Sequence, residues 1–156
     1  MGDFEQYHLH PEAKSKINID ELLDSLDNEQ NASIMKLNTK KIIDQKIDAL
    51  YELNLPNEEI TELLYKLNNY RLVDELPDIK EGSYIRWINL SNPNDLKLRL
   101  GGHVCDIIIE KSGIHIKCMK RGRFFQIKLD QCIVFQKLNA QEEVILMALD
   151  HLENQD

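Results

Sequence analysis

The chain of 156 residues has no long apolar run. A membrane-spanning helix needs about 18–20 consecutive apolar residues, so the sequence predicts no such span and no membrane partner. The first residues, MGDFEQ, have neither the basic stretch nor the apolar stretch of a secretory signal. We therefore expect a protein that is not secreted.

Cysteine is scarce, and no CxxC pair occurs among Cys105, Cys118 and Cys132. Structural zinc sites usually draw on closely spaced cysteine pairs. All three cysteines fall inside apolar, strand-like runs, which favours small buried side chains over ligands. The pair His8 and His10 lacks the further ligands that a metal site requires. We expect no metal and no cofactor.

Catalytic motifs are also missing: the chain has no Gly-rich phosphate loop, no HExxH and no GxSxG. One alternative stays open, because His103 and Cys105 are two residues apart on a predicted strand and would share a face. A cysteine beside a histidine can act as a nucleophile. The sequence nevertheless predicts a protein that is not an enzyme, with no catalytic residues and no small-molecule substrate.

Charge is distributed unevenly along the chain. Residues 79–138 carry eleven Lys/Arg against five Asp/Glu, whereas residues 1–78 carry eight against seventeen. Residues 139–156 add five acids and no Lys/Arg, for a net charge of −8. A basic block between two acidic ones is a property that bears on binding partners.

The N-terminal half predicts helices. Residues 1–16 are polar and are expected to be a flexible tail, and residues 17–76 form an acidic helical region. Within it, Thr39 is a candidate N-cap for a helix over about 40–54, and Pro56 begins a further helix. Two such helices joined by a tight turn indicate a helical hairpin. The acidic outer face of the second helix argues against insertion into a DNA groove.

From Gly82 the apolar period changes to that of strands. Residues 79–138 alternate apolar and polar positions between turn clusters, and Leu96–Leu100 alternates strictly. Five or six short strands in about sixty residues predict a small antiparallel SH3-like barrel, with an OB-fold as the alternative. Residues 139–156 predict a C-terminal helix with Asn139 and Glu142 in a capping box. The expected fold class is α+β.

The sharpest candidate site is a basic hairpin over residues 117–128. Cations surround Gly122 at its tip, and an aromatic side chain follows them. Cations on a rigid turn beside an exposed ring could hold phosphates or carboxylates while the ring stacks on a base. The alternative is a solvated turn that protects a sheet edge. The candidate residues for an anionic partner are Lys117, Lys120, Arg121, Arg123, Phe124 and Lys128.

A second candidate is a peptide-binding groove on the first strand of the basic block, formed by Tyr84, Arg86 and Trp87. SH3-like domains bind peptides in aromatic grooves. The alternative for Trp87 is a core position, because the chain has one Trp and few other large rings.

Three segments also carry a resemblance: Gly82-x-Tyr84-Ile85-Arg86-Trp87-Ile88, Leu100-Gly101-Gly102 and Ile133-x-Phe135-x-Lys137. Together they resemble small, mostly uncharacterised SH3-like proteins encoded by large DNA viruses. The resemblance spans residues 82–137 and implies a virus-encoded, non-enzymatic protein associated with the virion, without supplying any catalytic residue.

These observations predict a non-catalytic protein-interaction or structural module with a protein partner or a homo-oligomeric state. The alternative is a nucleic-acid-binding accessory protein that uses the hairpin. The expected location is cytoplasmic or virion-associated.

Overall fold

A computed structural model describes residues 17–154. These residues form helices and one antiparallel sheet, so the α+β class is confirmed, as is a C-terminal helix. The predicted tail, residues 1–16, lies outside the described residues. The helices are α1 (Ile19–Asp27), α2 (Thr39–Tyr51), α3 (Asn57–Lys66) and α4 (Ala140–Glu153). The strands are β1 (Tyr70–Val73), β2 (Tyr84–Asn89), β3 (Gly102–Glu110), β4 (Gly113–Lys120), β5 (Arg123–Lys128) and β6 (Cys132–Lys137).

The chain divides into two compact units, and the first is built from both ends of the sequence. It joins the residues up to Arg71 with those from Leu138 onward. Helices α1, α2 and α3 and the C-terminal helix α4 therefore belong to one unit. Its apolar core consists of Ile34, Ile42, Leu138, Ile145 and Leu146, with Leu22, Leu37 and Leu149 packed against them.

Three helices of this unit, α1, α2 and α4, begin at an asparagine whose side chain caps the helix, whereas α3 has no side-chain cap. The capping box of α4 is confirmed: the Glu142 N–H donates to the Asn139 side chain at 2.8 Å, and the Asn139 N–H donates to Glu142 Oε1 at 3.1 Å. The N-cap of α2 is Asn38, one residue before the predicted Thr39. Pro56 is the N-cap residue of α3. Both predicted helices exist, but the helical-hairpin arrangement is not confirmed.

Two buried cations tie distant segments of this unit together. Arg71 Nε lies 3.2 Å from Glu142 Oε2, and the two side chains are 2 % and 0 % exposed. Lys46 Nζ donates to the carbonyl oxygen of Leu67, the C-cap residue of α3, at 2.8 Å. Burial lowers the pKa of Lys46 to about 8 because the charged ammonium loses its hydration.

The second unit, residues Leu72–Lys137, contains most of the sheet. The strand order is β1-β6-β2-β3-β4-β5, so the sheet ends at β1 and β5 and does not close. The predicted SH3-like barrel is therefore not confirmed. One face of the sheet carries the core: Val73, Ile79, Ile85, Trp87, Val104, Ile116, Cys118, Ile127 and Val134.

Several local elements differ from the sequence predictions. Leu96–Leu100 does not form a strand, and only Leu98 makes an isolated bridge, to Ile88. A 3-10 helix over Glu29–Lys36 follows α1 after a single residue, Asn28. Short 3-10 helices also lie at Leu76–Asp78 and Leu129–Gln131, and β1 was not predicted.

Candidate anion-binding hairpin

The β4–β5 turn is a tight two-residue connection. Lys120 pairs with Arg123, and the intervening Arg121 and Gly122 have φ values of +51° and +76°. Positive φ at both central positions is the signature of a type I′ turn, whose twist matches that of the flanking strands. Glycine adopts this conformation without strain. The turn therefore holds the cations of residues 120–123 on a short, well-defined tip.

The predicted anion-binding residues divide between the two faces of the hairpin. Ile116, Cys118 and Ile127 belong to the core, so the alternating residues Lys117 and Lys128 project from the opposite, outer face. Phe124 lies on that outer face as well and is 61 % exposed. We call the six side chains Lys117, Lys120, Arg121, Arg123, Phe124 and Lys128 the hairpin surface.

Phe124 is the aromatic side chain of the hairpin surface and lies next to Lys117 and Met119. The ammonium nitrogen of Lys117 lies 4.7 Å from the centroid of the Phe124 ring, which is a cation–π geometry. Met119 pairs with Phe124 across the strands and is itself 37 % exposed. An apolar contact area therefore lies beside a positive charge. The candidate residues named from the sequence did not include Met119.

The five cations of the hairpin surface make no ion pair with another residue between 17 and 154. Elsewhere in this unit, by contrast, Asp95 lies 3.6 Å from Arg99 and 3.7 Å from Lys97. The acid opposite Lys117 in the ladder is Asp106, whose Oδ1 accepts the Ile107 N–H at 2.8 Å. The positive charge of the hairpin is thus not neutralised by ion pairs within the described part of the chain.

A row of aromatic and sulfur-containing side chains extends from the hairpin across the outer face. Cross-strand register pairs Tyr84 with His103, His103 with Met119, and Met119 with Phe124. The rings of Tyr84 and His103 meet edge to face with centroids 5.0 Å apart. We call these four side chains the outer row. It links the hairpin to β2, a connection that depends on sheet register.

The predicted peptide groove is divided by the pleat of β2. Trp87 is 8 % exposed and packs in the core, with its ring 5.3 Å from that of Phe125. Tyr84 and Arg86 project from the other face, where Tyr84 Oη donates to the Leu100 carbonyl at 2.6 Å and Arg86 Nε donates to the Arg99 carbonyl at 2.9 Å. The three residues therefore do not line one groove, and the two outer side chains hold the segment before β3.

His103 and Cys105 do not contact each other through imidazole and thiol. Cys105 Sγ lies 3.7 Å from the His103 carbonyl oxygen, and a β-bulge interrupts the register between Val104 and Asp106. The even alternation that suggested a shared face is lost there. Cys118 is fully buried, and burial raises the pKa of its thiol to about 12.

The described residues contain no metal cluster and no membrane-spanning helix, and they form a groove. Between residues 17 and 154 no three His, Cys, Asp or Glu side chains cluster closely enough to hold a metal ion. In the same range no helix is both long and apolar enough to span a membrane. A groove of about 250 Å³ in the helical unit is lined by Glu21, Asp24, Ser25, Ala140, Gln141 and Val144.

Comparison of the chain with protein-family models, curated proteins and solved structures found no match.

Proposed function

We propose that this protein is a non-catalytic interaction module that binds an anionic partner through the hairpin surface. One observation carries the proposal: five cations without an ion pair among the described residues lie on one hairpin with a phenylalanine that is 61 % exposed, and the Lys117 ammonium lies over its ring. A solvated, edge-protecting turn explains exposed cations. It does not require a phenylalanine among them, with the Lys117 ammonium 4.7 Å from the ring centroid.

Binding would use two kinds of contact. Arg121 and Arg123 present planar guanidinium groups, which donate paired hydrogen bonds to a carboxylate or phosphate. Phe124 and Met119 supply apolar area that a partner would cover. Salt screening over about 8 Å at physiological ionic strength lets such a local surface act separately from the net charge of the whole chain.

The charge division between the units agrees with this proposal. The sheet unit carries eleven Lys/Arg against eight Asp/Glu, whereas the helical unit carries eight against nineteen. A partner with negative charge would be attracted to the sheet unit and repelled by the helical unit. This asymmetry favours a docking orientation through the sheet unit.

The SH3-like fold predicted from the sequence is also part of the proposal. We propose an SH3-like arrangement for β2 to β6, because β2-β3-β4-β5 form a meander and β6 returns to pair with β2. The 3-10 helix Leu129–Gln131 provides the connection into β6. The resemblance to virus-encoded SH3-like proteins and the virion location stay predictions, as do a protein partner and a homo-oligomeric state.

A nucleic-acid partner is the second candidate, favoured specifically by the outer row. Single-stranded nucleic acids bind surfaces where aromatic side chains stack on bases and cations follow the phosphates. Tyr84, His103 and Phe124 supply rings along one direction across the sheet, and Lys117 and Lys128 lie on the same face. Both candidates use the same hairpin.

The proposal is tested by retention on a heparin column at low salt. We expect the wild-type protein to be retained and the triple variant Lys120→Glu, Arg121→Glu, Arg123→Glu to elute early. The matched control is Lys36→Glu, Lys40→Glu, Lys41→Glu, three exposed lysines of the helical unit whose reversal changes net charge equally. Failure of the wild type to bind, or equal loss in both variants, would overturn the proposal.

A further inference from the structure

Strand β5 forms an open edge of the sheet. It pairs with β4 on one side, and it is the last strand in the sheet order. An edge strand presents a row of backbone N–H and C=O groups that can pair with another extended chain. The edge therefore offers a binding site of a different kind from the side chains of the hairpin surface.

The turn determines which backbone groups point outward. In a two-residue hairpin the closing pair, here Lys120 and Arg123, is hydrogen-bonded, and hydrogen-bonded pairs then alternate along the ladder. The N–H and C=O groups of Phe124 and Gln126 consequently point away from β4. No hydrogen bond between residues 17 and 154 uses the outward N–H or C=O groups of these two residues.

Cationic side chains lie at both ends of this edge strand. Arg123 begins β5 and Lys128 ends it, while Phe124 and Gln126 between them are exposed. Cations at both ends of an edge strand oppose pairing with another basic or neutral strand, and they attract an acidic one. The exposed Phe124, next to Arg123, supplies an apolar cross-strand contact for such a strand.

We infer that β5 binds an extended acidic segment of another protein as an additional strand of the sheet. This inference rests on the proposed function and specifies the partner class. Backbone hydrogen bonds to Phe124 and Gln126 would supply affinity, as in other cases of strand addition. Acidic side chains near Arg123 and Lys128, with an apolar residue beside Phe124, would supply specificity.

Two other occupants fit this edge less well. A second copy of β5 would bring the five cations of each hairpin to the same edge, and their mutual repulsion opposes pairing of the two copies. A nucleic-acid strand offers phosphates to accept the outward N–H groups, but its sugar-phosphate chain has no regular N–H donors for the carbonyls of Phe124 and Gln126. An acidic peptide satisfies both kinds of group.

The test measures binding of the full chain to a short fluorescent Glu-Val peptide, in which one Val is flanked by Glu residues on both sides. The comparison peptide has the same side chains but is N-methylated at every backbone amide, which removes its donors and keeps its charge. We expect the methylated peptide to bind about tenfold or more weakly, corresponding to about 1.4 kcal/mol. Equal affinity of the two peptides would overturn the inference, because attraction would then be purely electrostatic.

A backbone variant gives an independent readout. Gln126→Pro removes an outward N–H, and proline is tolerated at edge positions whose N–H faces solvent. Its matched control, Gln126→Ala, keeps that N–H. We expect the proline variant to remain on heparin but to lose peptide affinity about tenfold relative to the alanine variant. Equal peptide affinity of the two folded variants would contradict strand addition.

The outcomes separate this inference from the proposed function. Binding of oligothymidylate without binding of the Glu-Val peptide would overturn the inference and support the nucleic-acid candidate on the same surface. Absence of peptide binding, oligothymidylate binding and heparin retention together would overturn both. If Gln126→Pro does not fold, the comparison of the two peptides on the wild-type protein decides.

Discussion

The buried pair of Arg71 and Glu142 should make the helical unit sensitive to the loss of one partner. Its atoms are 3.2 Å apart, and neither side chain is more than 2 % exposed. Arg71 Nη2 also donates to Ser33 Oγ at 3.3 Å. Replacing Arg71 with Met keeps much of the apolar stem but removes the guanidinium, so the buried Glu142 carboxylate loses this ion pair.

Removing one partner of a buried ion pair costs about 3–5 kcal/mol. For a chain of this length that corresponds to a decrease of roughly 6–20 °C in melting temperature. The control is Arg71→Met combined with Glu142→Gln, because Gln removes the negative charge and can still accept the Asn139 N–H of the capping box. We expect this double variant to recover most of the lost free energy of unfolding.

The assay is denaturant unfolding followed by circular dichroism, repeated at high salt. A buried pair is only weakly screened, so the cost of Arg71→Met should hardly change with salt. The exposed pair of Lys66 and Glu62 is the reference, with a cost near 0–1 kcal/mol. A cost below about 1 kcal/mol for Arg71→Met, or a double variant no more stable than the single one, would refute this reasoning.

Two further predictions concern the pH dependence of stability and a close backbone contact. Lys46 has a folded-state pKa of about 8 against an ordinary 10.5, so the unfolded chain binds more protons between these values and stability must rise with pH there. The unfolding free energy of the wild type relative to Lys46→Met should therefore increase by on the order of 3 kcal/mol from pH 8 to pH 10.5; a flat difference in urea titrations would contradict this. Gly101 has φ +96°, and an added Cβ would lie 2.1 Å from the Ile85 carbonyl oxygen. We expect Gly101→Ala to cost about 3 kcal/mol or more, whereas Gly82→Ala, at φ +85° with nothing within 4 Å, should cost about 1–2 kcal/mol. Equal melting temperatures for these two variants would show that the close approach does not matter.

Contacts between residues that are close in sequence could be predicted from the sequence. The capping box of Asn139 and Glu142 involves residues three apart, so the sequence contains everything that the contact needs. The β4–β5 hairpin was readable for the same reason, because a Gly-containing turn between alternating segments brings near neighbours together. The hairpin surface could therefore be named in advance.

Strands whose formation depends on a partner far away in sequence could not be predicted. Strand β1 has only four residues, and its place in the sheet comes from pairing with β6, more than fifty residues later. Leu96–Leu100 alternates as a strand does, but only Leu98 finds a bridge partner. A strand forms when it has a ladder to join, whatever its own alternation.

The site shows the same limit. Met119 and His103 can be assigned to the site only from cross-strand register, which aligns them with Phe124 and Tyr84. The groove containing Trp87 was expected from aromatic composition, yet strand alternation places Trp87 on the core face. A single residue of register determines which side chains a partner can meet.

The organisation in two units also gives the charge pattern a physical meaning. Both acidic segments belong to the helical unit, and the basic segment corresponds to the sheet unit. Thus the described helices on either side of the sheet unit in sequence belong to one compact unit rather than to separate flanks. A binding surface on the sheet unit can then differ in sign from the rest of the protein.

The most direct test of the proposed hairpin surface is a titration of isotopically labelled protein with the Glu-Val peptide, followed by amide NMR spectra. The account predicts that the largest shifts fall on residues 117–128 and diminish as salt is added. It also predicts that the amide protons of Phe124 and Gln126 become protected from exchange when the peptide binds. Shifts concentrated in the helical unit, or no shifts at all, would contradict it.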